Sequence, residues 1–288
     1  MTALQMVEML INGLMLGALF ALFGLGLSLS LGVMRMINIA HGDLIVLSAY
    51  LVLSATPWLG VGPVTALLVS VPVMFALGWL LQRGLLNHLV GRDPMSVLLV
   101  TFGLSIVLQN LLQEIYTADT QSLDAGSLAT ASLQIGDMSL GWLPVVITGV
   151  SVAVYVLTHL LIAHTPLGRQ ARAVSTDPET ARLVGIRDRR LFALMTGFIF
   201  AVIAIAGVFY GIRTPFAPSA GPERLLFAFE AVVLGGLGSI WGTFIGGLLI
   251  GLAQVVGAQI HAGLGPFVGH LVFLVALLAR PNGLFARR

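Results

Sequence analysis

Asn38, His41, Gly42 and Asp43 put an amide, an imidazole, a glycine and a carboxylate into one stretch, Met36-Ile37-Asn38-Ile39-Ala40-His41-Gly42-Asp43. Such groups can exchange hydrogen bonds, hold an ion or pass a proton, and an imidazole titrates near neutral pH. Asn38 and His41, three apart, share a face wherever the stretch is helical. A second acid, Glu230, lies in another apolar run, which Gly235, Gly236 and Gly238 close. Polar side chains at membrane depth are costly and are kept mainly where they face a cavity, a partner helix or a pathway.

The elements that position these groups are apolar runs. Met9–Val33, before the first stretch, is long enough to span a bilayer, whereas Leu44–Ala55, after it, is too short to span alone. The stretch reads as a broken membrane helix lining a transport route. Asp43 is expected to cap the N-terminus of Leu44–Ala55. Alternatively, Asn38 and His41 satisfy backbone groups freed by the break and touch no substrate. Glu230 pairs with an Arg, faces a subunit partner or lines the route; the sequence does not rank these. Gly235, Gly236 and Gly238 are expected to allow close helix approach. His159, His261 and His270 read as isolated packing or loop residues, with no pair at metal-ligand spacing. No metal and no cofactor is expected.

The composition agrees with a membrane protein. Of 288 residues, 58% are hydrophobic and 9% charged, and mean hydropathy is +1.01. Soluble domains carry about a quarter charged residues. Cysteine is absent, which excludes disulfides and thiol chemistry. All 14 basic residues are Arg. A phosphate-binding Walker loop needs a Lys, so the chain is not expected to hydrolyse ATP itself. The first run lacks the basic leader and cleavage site of a secretory signal and is expected to be retained.

Further apolar runs fall at Val64–Leu81, Met95–Ile115, Trp142–Ala163, Leu191–Ile212, Leu225–Leu237, Trp241–Ile260 and Gly263–Ala279. The fold expected is all-α: a polytopic helical bundle, read as one transmembrane domain over residues 1–288, with about eight or nine membrane segments. Leu44–Ala55, with Gly42 just before it, and Leu225–Leu237, closed by Gly235 and Gly236, are short segments, one in each half, which points to a midplane site in transporters. Arg169, Arg172, Arg182, Arg187, Arg189 and Arg190 crowd the loop His164–Arg190; Arg83 and Arg92 lie in Gln82–Pro94, and Arg280, Arg287 and Arg288 in the tail. Tyr116–Gly141 holds Asp119, Asp124 and Asp137 and no Arg. The positive-inside rule places the Arg-rich loops and the C-terminus in the cytoplasm, and the N-terminus outside if Leu225–Leu237 crosses fully. Arg213 and Arg224 then lie outside, against the rule. The high pI of about 9.5 reports this orientation before it suggests nucleic acid.

Within the loop, Thr176-Asp177-Pro178-Glu179 looks like a helix start, with Thr176 as cap and Glu179 completing a capping box. A helix of about two turns follows, with Ala181, Leu183 and Val184 as an apolar face and Gly185 as a left-handed cap. It suits docking into a groove of another protein, or lying on anionic lipid.

Glu179-x-Ala181-x-x-x-Gly185 resembles the EAA coupling motif of ABC importer permeases, without its Ile-x-Leu-Pro ending. The surroundings, Arg172-Ala173…Asp177-x-Glu179-x-Ala181-Arg182-Leu183-x-Gly185-Ile186, resemble more narrowly the branched-chain amino acid (Liv-type) permeases. So do Ile37-Asn38-Ile39-Ala40-His41-Gly42-Asp43, Ser48-Ala49-Tyr50, Val233-Leu234-Gly235-Gly236-Leu237-Gly238-Ser239-Ile240 and Pro281-x-Gly283-Leu284. The modest length resembles the H-type subunit. The resemblance implies a permease of the bacterial inner membrane without its own ATPase site. It also implies two ATP-binding cassette subunits docking at Glu179, Ala181, Arg182 and Gly185, a paralogous permease or second copy, and a periplasmic or extracellular binding protein. Branched-chain or related amino acids are the expected cargo; urea, short amides or aromatic carboxylates are alternatives. An ion-coupled secondary transporter with Asp43, His41 and Glu230 as relay is the competing class, and an intramembrane enzyme lacks a convincing constellation.

Overall fold

The computed structural model describes residues 3–136 and 138–285. Asp137, Arg287 and Arg288, counted above in the acidic loop and the basic tail, lie outside the described residues. The chain is a polytopic helical bundle. In order it forms α1 (Ala3–Leu29), α2 (His41–Leu59), α3 (Pro63–Gly84), α4 (Pro94–Tyr116), a short α5 (Ser127–Thr130), the hairpin β1 (Ser132–Ile135) and β2 (Met138–Gly141), and α6 (Trp142–His164). There follow α7 (Pro166–Thr176), α8 (Pro178–Leu183), α9 (Asp188–Arg213), α10 (Gly221–Gly235), α11 (Ile240–Ile260) and α12 (Gly265–Ala279). Proline opens α3, α4, α7 and α8, where its missing N–H costs nothing.

Among the described residues, eight segments are long and apolar enough to cross a membrane. The run Leu225–Leu237 belongs to α10, whose 15 residues reach about 22 Å. That is shorter than the ~30 Å hydrocarbon core. The chain nevertheless passes through the bundle here. Leu191, Phe192 and Met195, at the start of α9, pack with Val33 at the end of α1, so α9 ends far from Val33. After α10 the chain returns to that end, where Gly238 lies against Gly32. Then α11 runs back along α1, with Leu248 over Gly17 and Leu252 over Gly13. Side chains there would collide with backbone, a close packing that small residues permit in lipid. α12 returns once more, and Gly283 reaches Gly236. The start of α1 and Gly283 therefore lie at opposite ends of the bundle, as an odd number of passes requires.

The core is centred on α1, α2, α9 and α10, with Phe23, Tyr50, Phe200, Phe209, Tyr210 and Phe227 fully buried. α3, α4, α6 and α12 surround it and expose aliphatic side chains outward. The loop after α4 folds back on the bundle, where Gln121 and Phe216 exchange backbone hydrogen bonds.

Candidate translocation site

The helix break comes from backbone irregularity on both sides of Arg35. α1 ends in a π-turn, Ser30–Met34, and Arg35 adopts a left-handed conformation with φ of 52°. The residues that follow are held by side chains. Ser30 Oγ donates to the Met36 carbonyl at 2.8 Å, Asn38 Oδ1 accepts from the Ala40 N–H at 3.0 Å, and Thr101 Oγ1 of α4 accepts from the Ile39 N–H at 3.2 Å. Asn38 thus satisfies backbone freed by the break. α2 then starts at His41, whose Nε2–H donates to the Phe23 carbonyl of α1 at 2.8 Å, with its ring against Gly26.

Asp43 is not the cap expected of it. The helix begins two residues earlier, so Asp43 falls in the first turn, and the capping position is Ala40, without a side-chain bond. The carboxylate turns to α4 instead. Ser105 Oγ donates to Oδ2 at 2.5 Å and Gln109 Nε2 donates to Oδ1 at 2.9 Å. Thr101, Ser105 and Gln109 recur every fourth residue, so α4 turns one polar stripe toward the break. Sequence reasoning missed them, though that period on an apolar span was a readable signal.

The two short helices meet start to start. A Cβ on Gly42 would strike the Gly221 carbonyl and the Leu225 N–H of α10, and one on Gly221 would strike the Asp43 carboxylate. Helix N-termini carry partial positive charge, and Asp43, 1% exposed, lies where two of them converge.

Glu230 and the glycines lie further along α10. Glu230 is 1% exposed, and His270 Nδ1 sits 2.5 Å from its Oε1, so Glu230 pairs with a histidine of α12 rather than with an Arg. His270 is therefore not isolated; its ring also stacks on Phe227, with centroids 5.5 Å apart. Gly235 gives the expected close approach, its Cα facing the Gly242 backbone of α11. Gly236 and Gly238 also make a turn, with φ of 99° and 76°, and both lie close to other backbone, Gly236 at Gly283 and Gly238 at Gly32. Arg224 is paired with Glu223 at 2.5 Å and lies over the Tyr210 ring, which gives it local partners.

At the other end, α7 and α8 form a helical hairpin. Asp177, not Thr176, is the cap of α8: its Oδ1 accepts from the Glu179 and Thr180 N–H groups at 3.0 and 3.1 Å. Thr176 closes α7, its hydroxyl donating to the Arg172 carbonyl at 2.9 Å. The hydrogen bond from the Thr180 hydroxyl holds the exposed Asp177 carboxyl below its ordinary range. Gly185, at φ 87°, ends α8 as expected; its N–H donates to the Arg182 carbonyl and the Ile186 N–H to that of Ala181. The apolar residues divide between two faces. Ala181 is buried with Val33, Ala171, Val174 and Leu191, while Leu183 and Val184 are 86% and 72% exposed. Glu179 is exposed, and Arg182 is clamped by Asp188 through two nitrogens at 2.6 and 2.8 Å.

One contact joins the two places. Arg35, in the break, donates through Nη2 to the Ser175 carbonyl in the last turn of α7, at 2.8 Å. The break and the α7–α8 hairpin thus share both an apolar cluster and a polar tie.

A multi-pass bundle with an interrupted helix, and a second short helix meeting it start to start, defines a membrane transport permease. The family described as branched-chain amino acid transport system / permease component matches residues 9–279, and the chain belongs to it. It is 30% identical to the high-affinity branched-chain amino acid transport system permease protein BraD of Pseudomonas aeruginosa, over 97% of this chain and 95% of that one. It is 28% identical to the corresponding permease protein LivH of Escherichia coli, over 99% and 96%. A probable LivH of Methanocaldococcus jannaschii is 24% identical over 92% and 88%. No solved structure matches the chain.

Proposed function

We propose that this chain is one permease subunit of an ATP-driven importer in the bacterial inner membrane, carrying branched-chain or related amino acids inward. Two ATP-binding cassette subunits supply the hydrolysis, a second permease, paralogous or identical, completes the route, and a binding protein delivers cargo from the periplasmic or extracellular side. Residues 164–190 form the cytoplasmic coupling segment, and the C-terminus is cytoplasmic. The cargo is inferred from the names of BraD and LivH.

The observation that carries the reading is the junction between α8 and the break. Glu179, Leu183, Val184 and Gly185 are presented outward for an ATPase cleft, while Ala181 packs beneath them in the buried cluster that α7 and α9 extend to Val33. Closure of the ATPase pair displaces α8. The apolar cluster and the Arg35–Ser175 tie pass that displacement to the end of α1. From there it reaches Asn38, His41 and the facing starts of α2 and α10, which line or gate the route. This is coupling between two sites through one connected element. Asp43 and Glu230 each hold side-chain partners, which supports structural roles for both over an ion relay.

The test is uptake in proteoliposomes containing the chain, its partner permease and the ATPase subunits. Leucine uptake should require ATP and the binding protein and should ignore ion gradients. Glu179→Lys should abolish ATP-driven uptake while leaving insertion and the wild-type melting temperature unchanged. Normal uptake by that variant refutes the docking role.

A further inference from the structure

A cavity of about 250 Å³ lies between α1, α6, α7 and the start of α11, at the end of the bundle that carries Arg35, Arg169 and Arg172. Its polar lining is one-sided in charge. Arg172, His159, Ser28, Ser175 and Ser239 are its polar lining residues, and no acidic residue lines it among the described residues. Arg172 is anchored to the end of α6, donating to the Ile162 and Ala163 carbonyls. α11 opens onto the cavity: Ser239 caps its first turn, accepting from the Gly242 N–H at 3.2 Å, and Ile240 and Trp241 line the wall. First-turn N–H groups have no acceptor within the helix and favour anions.

An independent sign of an occupant is Ser28. It is 1% exposed, it lines the cavity, and its hydroxyl has no hydrogen-bond partner. Buried hydroxyls are ordinarily paired.

We propose that this cavity is a binding site for a phosphate group, presented by an anionic phospholipid of the leaflet at the Arg-rich end. Basic pockets between membrane helices at that level suit lipid head groups. Access from the bilayer argues for lipid: His159 is exposed, and Trp241 is 40% exposed at the rim, the interfacial position that tryptophan favours. Val156, Leu160 and Ile245 continue outward from the rim as an exposed aliphatic surface for the acyl chains. The phosphate takes its hydrogen bonds from Arg172, Ser28 and the start of α11. The site spans α1 and α7, the two elements that Arg35 and Ser175 join, so lipid occupancy stiffens the connection between α8 and the break.

The experiment is native mass spectrometry of the full-length chain in mild detergent, titrated separately with phosphatidylglycerol, phosphatidylcholine and inorganic phosphate. One phosphatidylglycerol per chain should be retained under conditions that strip phosphatidylcholine. Arg172→Gln should lower retention about fivefold. Arg172 also holds the end of α6, so Ser28→Ala is the companion variant. It removes a hydroxyl with no protein partner, should melt as wild type does, and should still retain less lipid. Equal retention of phosphatidylglycerol by wild type and both variants overturns the site. Retention of inorganic phosphate with the same variant sensitivity, and no preference for phosphatidylglycerol, overturns the lipid source.

Discussion

The Asp43 carboxylate lies against Gly221, so the first turns of α2 and α10 meet with no side chain between their backbones. Two helix starts in contact inside a membrane bundle would ordinarily present their positive ends to a ligand. Here the Asp43 carboxyl fills that place from within, held by Ser105 and Gln109. The contact is a clamp, and it fixes where the two short helices can move.

Gly221→Val should be severely disruptive. Its Cβ would overlap the Asp43 carboxylate and the α2 backbone, and overpacking of this kind costs ~1–3 kcal/mol or more. Melting in detergent should drop by several degrees and uptake should fail. Gly62→Ala, at a glycine with open space around it, is the control and should behave as wild type.

Asp43→Asn keeps the shape of the clamp and should retain most ATP-driven uptake. Asp43→Ala removes the acceptor that Ser105 and Gln109 share, leaving them only their 3.1 Å bond to each other, and should destabilise by ~1–3 kcal/mol. Loss of uptake in Asp43→Asn with unchanged melting would point to a proton or ion role instead.

His270→Ala strips the buried Glu230 of its hydrogen-bond partner, and leaving a buried acceptor unpaired costs ~1–3 kcal/mol. Glu230→Gln should restore stability in the double variant. In the single variant, uptake should persist without any proton gradient and still need ATP. A double variant as unstable as His270→Ala alone would show that the pair is not what holds α12 to α10.

Asp177 gives a pH signature at the coupling helix. Its folded carboxyl titrates below the ordinary 3.8, with the Thr180 hydroxyl as the main cause. The cap therefore contributes fully above that value and is lost as pH falls through the depressed one. Hydrogen exchange of the Glu179 and Thr180 amides should accelerate relative to α7 below pH 4 in wild type. It should already be fast at neutral pH in Asp177→Ala. Amides that exchange alike in both proteins at pH 7 would remove the cap from the account.

The break was legible because polar residues interrupt an apolar run, and α8 because proline, an acid and a distal glycine mark its ends. What sequence could not show was partnership across the bundle. Ser105 and Gln109 reach Asp43 over 62 and 66 residues, and His270 reaches Glu230 over 40. Each looks like a lone polar residue until the helices are packed. Asp177 displaced Thr176 as cap because α7 runs through Thr176 and takes its hydroxyl, leaving the next residue to start α8. The apolar residues of α8 looked like one face, but the helix buries Ala181 against the bundle and leaves Leu183 and Val184 exposed.

The most direct measurement is purification of the chain from native membranes in mild detergent, with the identity and stoichiometry of everything that co-purifies. The account predicts two ATP-binding subunits and a second permease in fixed ratio, with the ATPase subunits lost from Glu179→Lys. A chain that purifies alone and still moves leucine in liposomes on an ion gradient without ATP would contradict it.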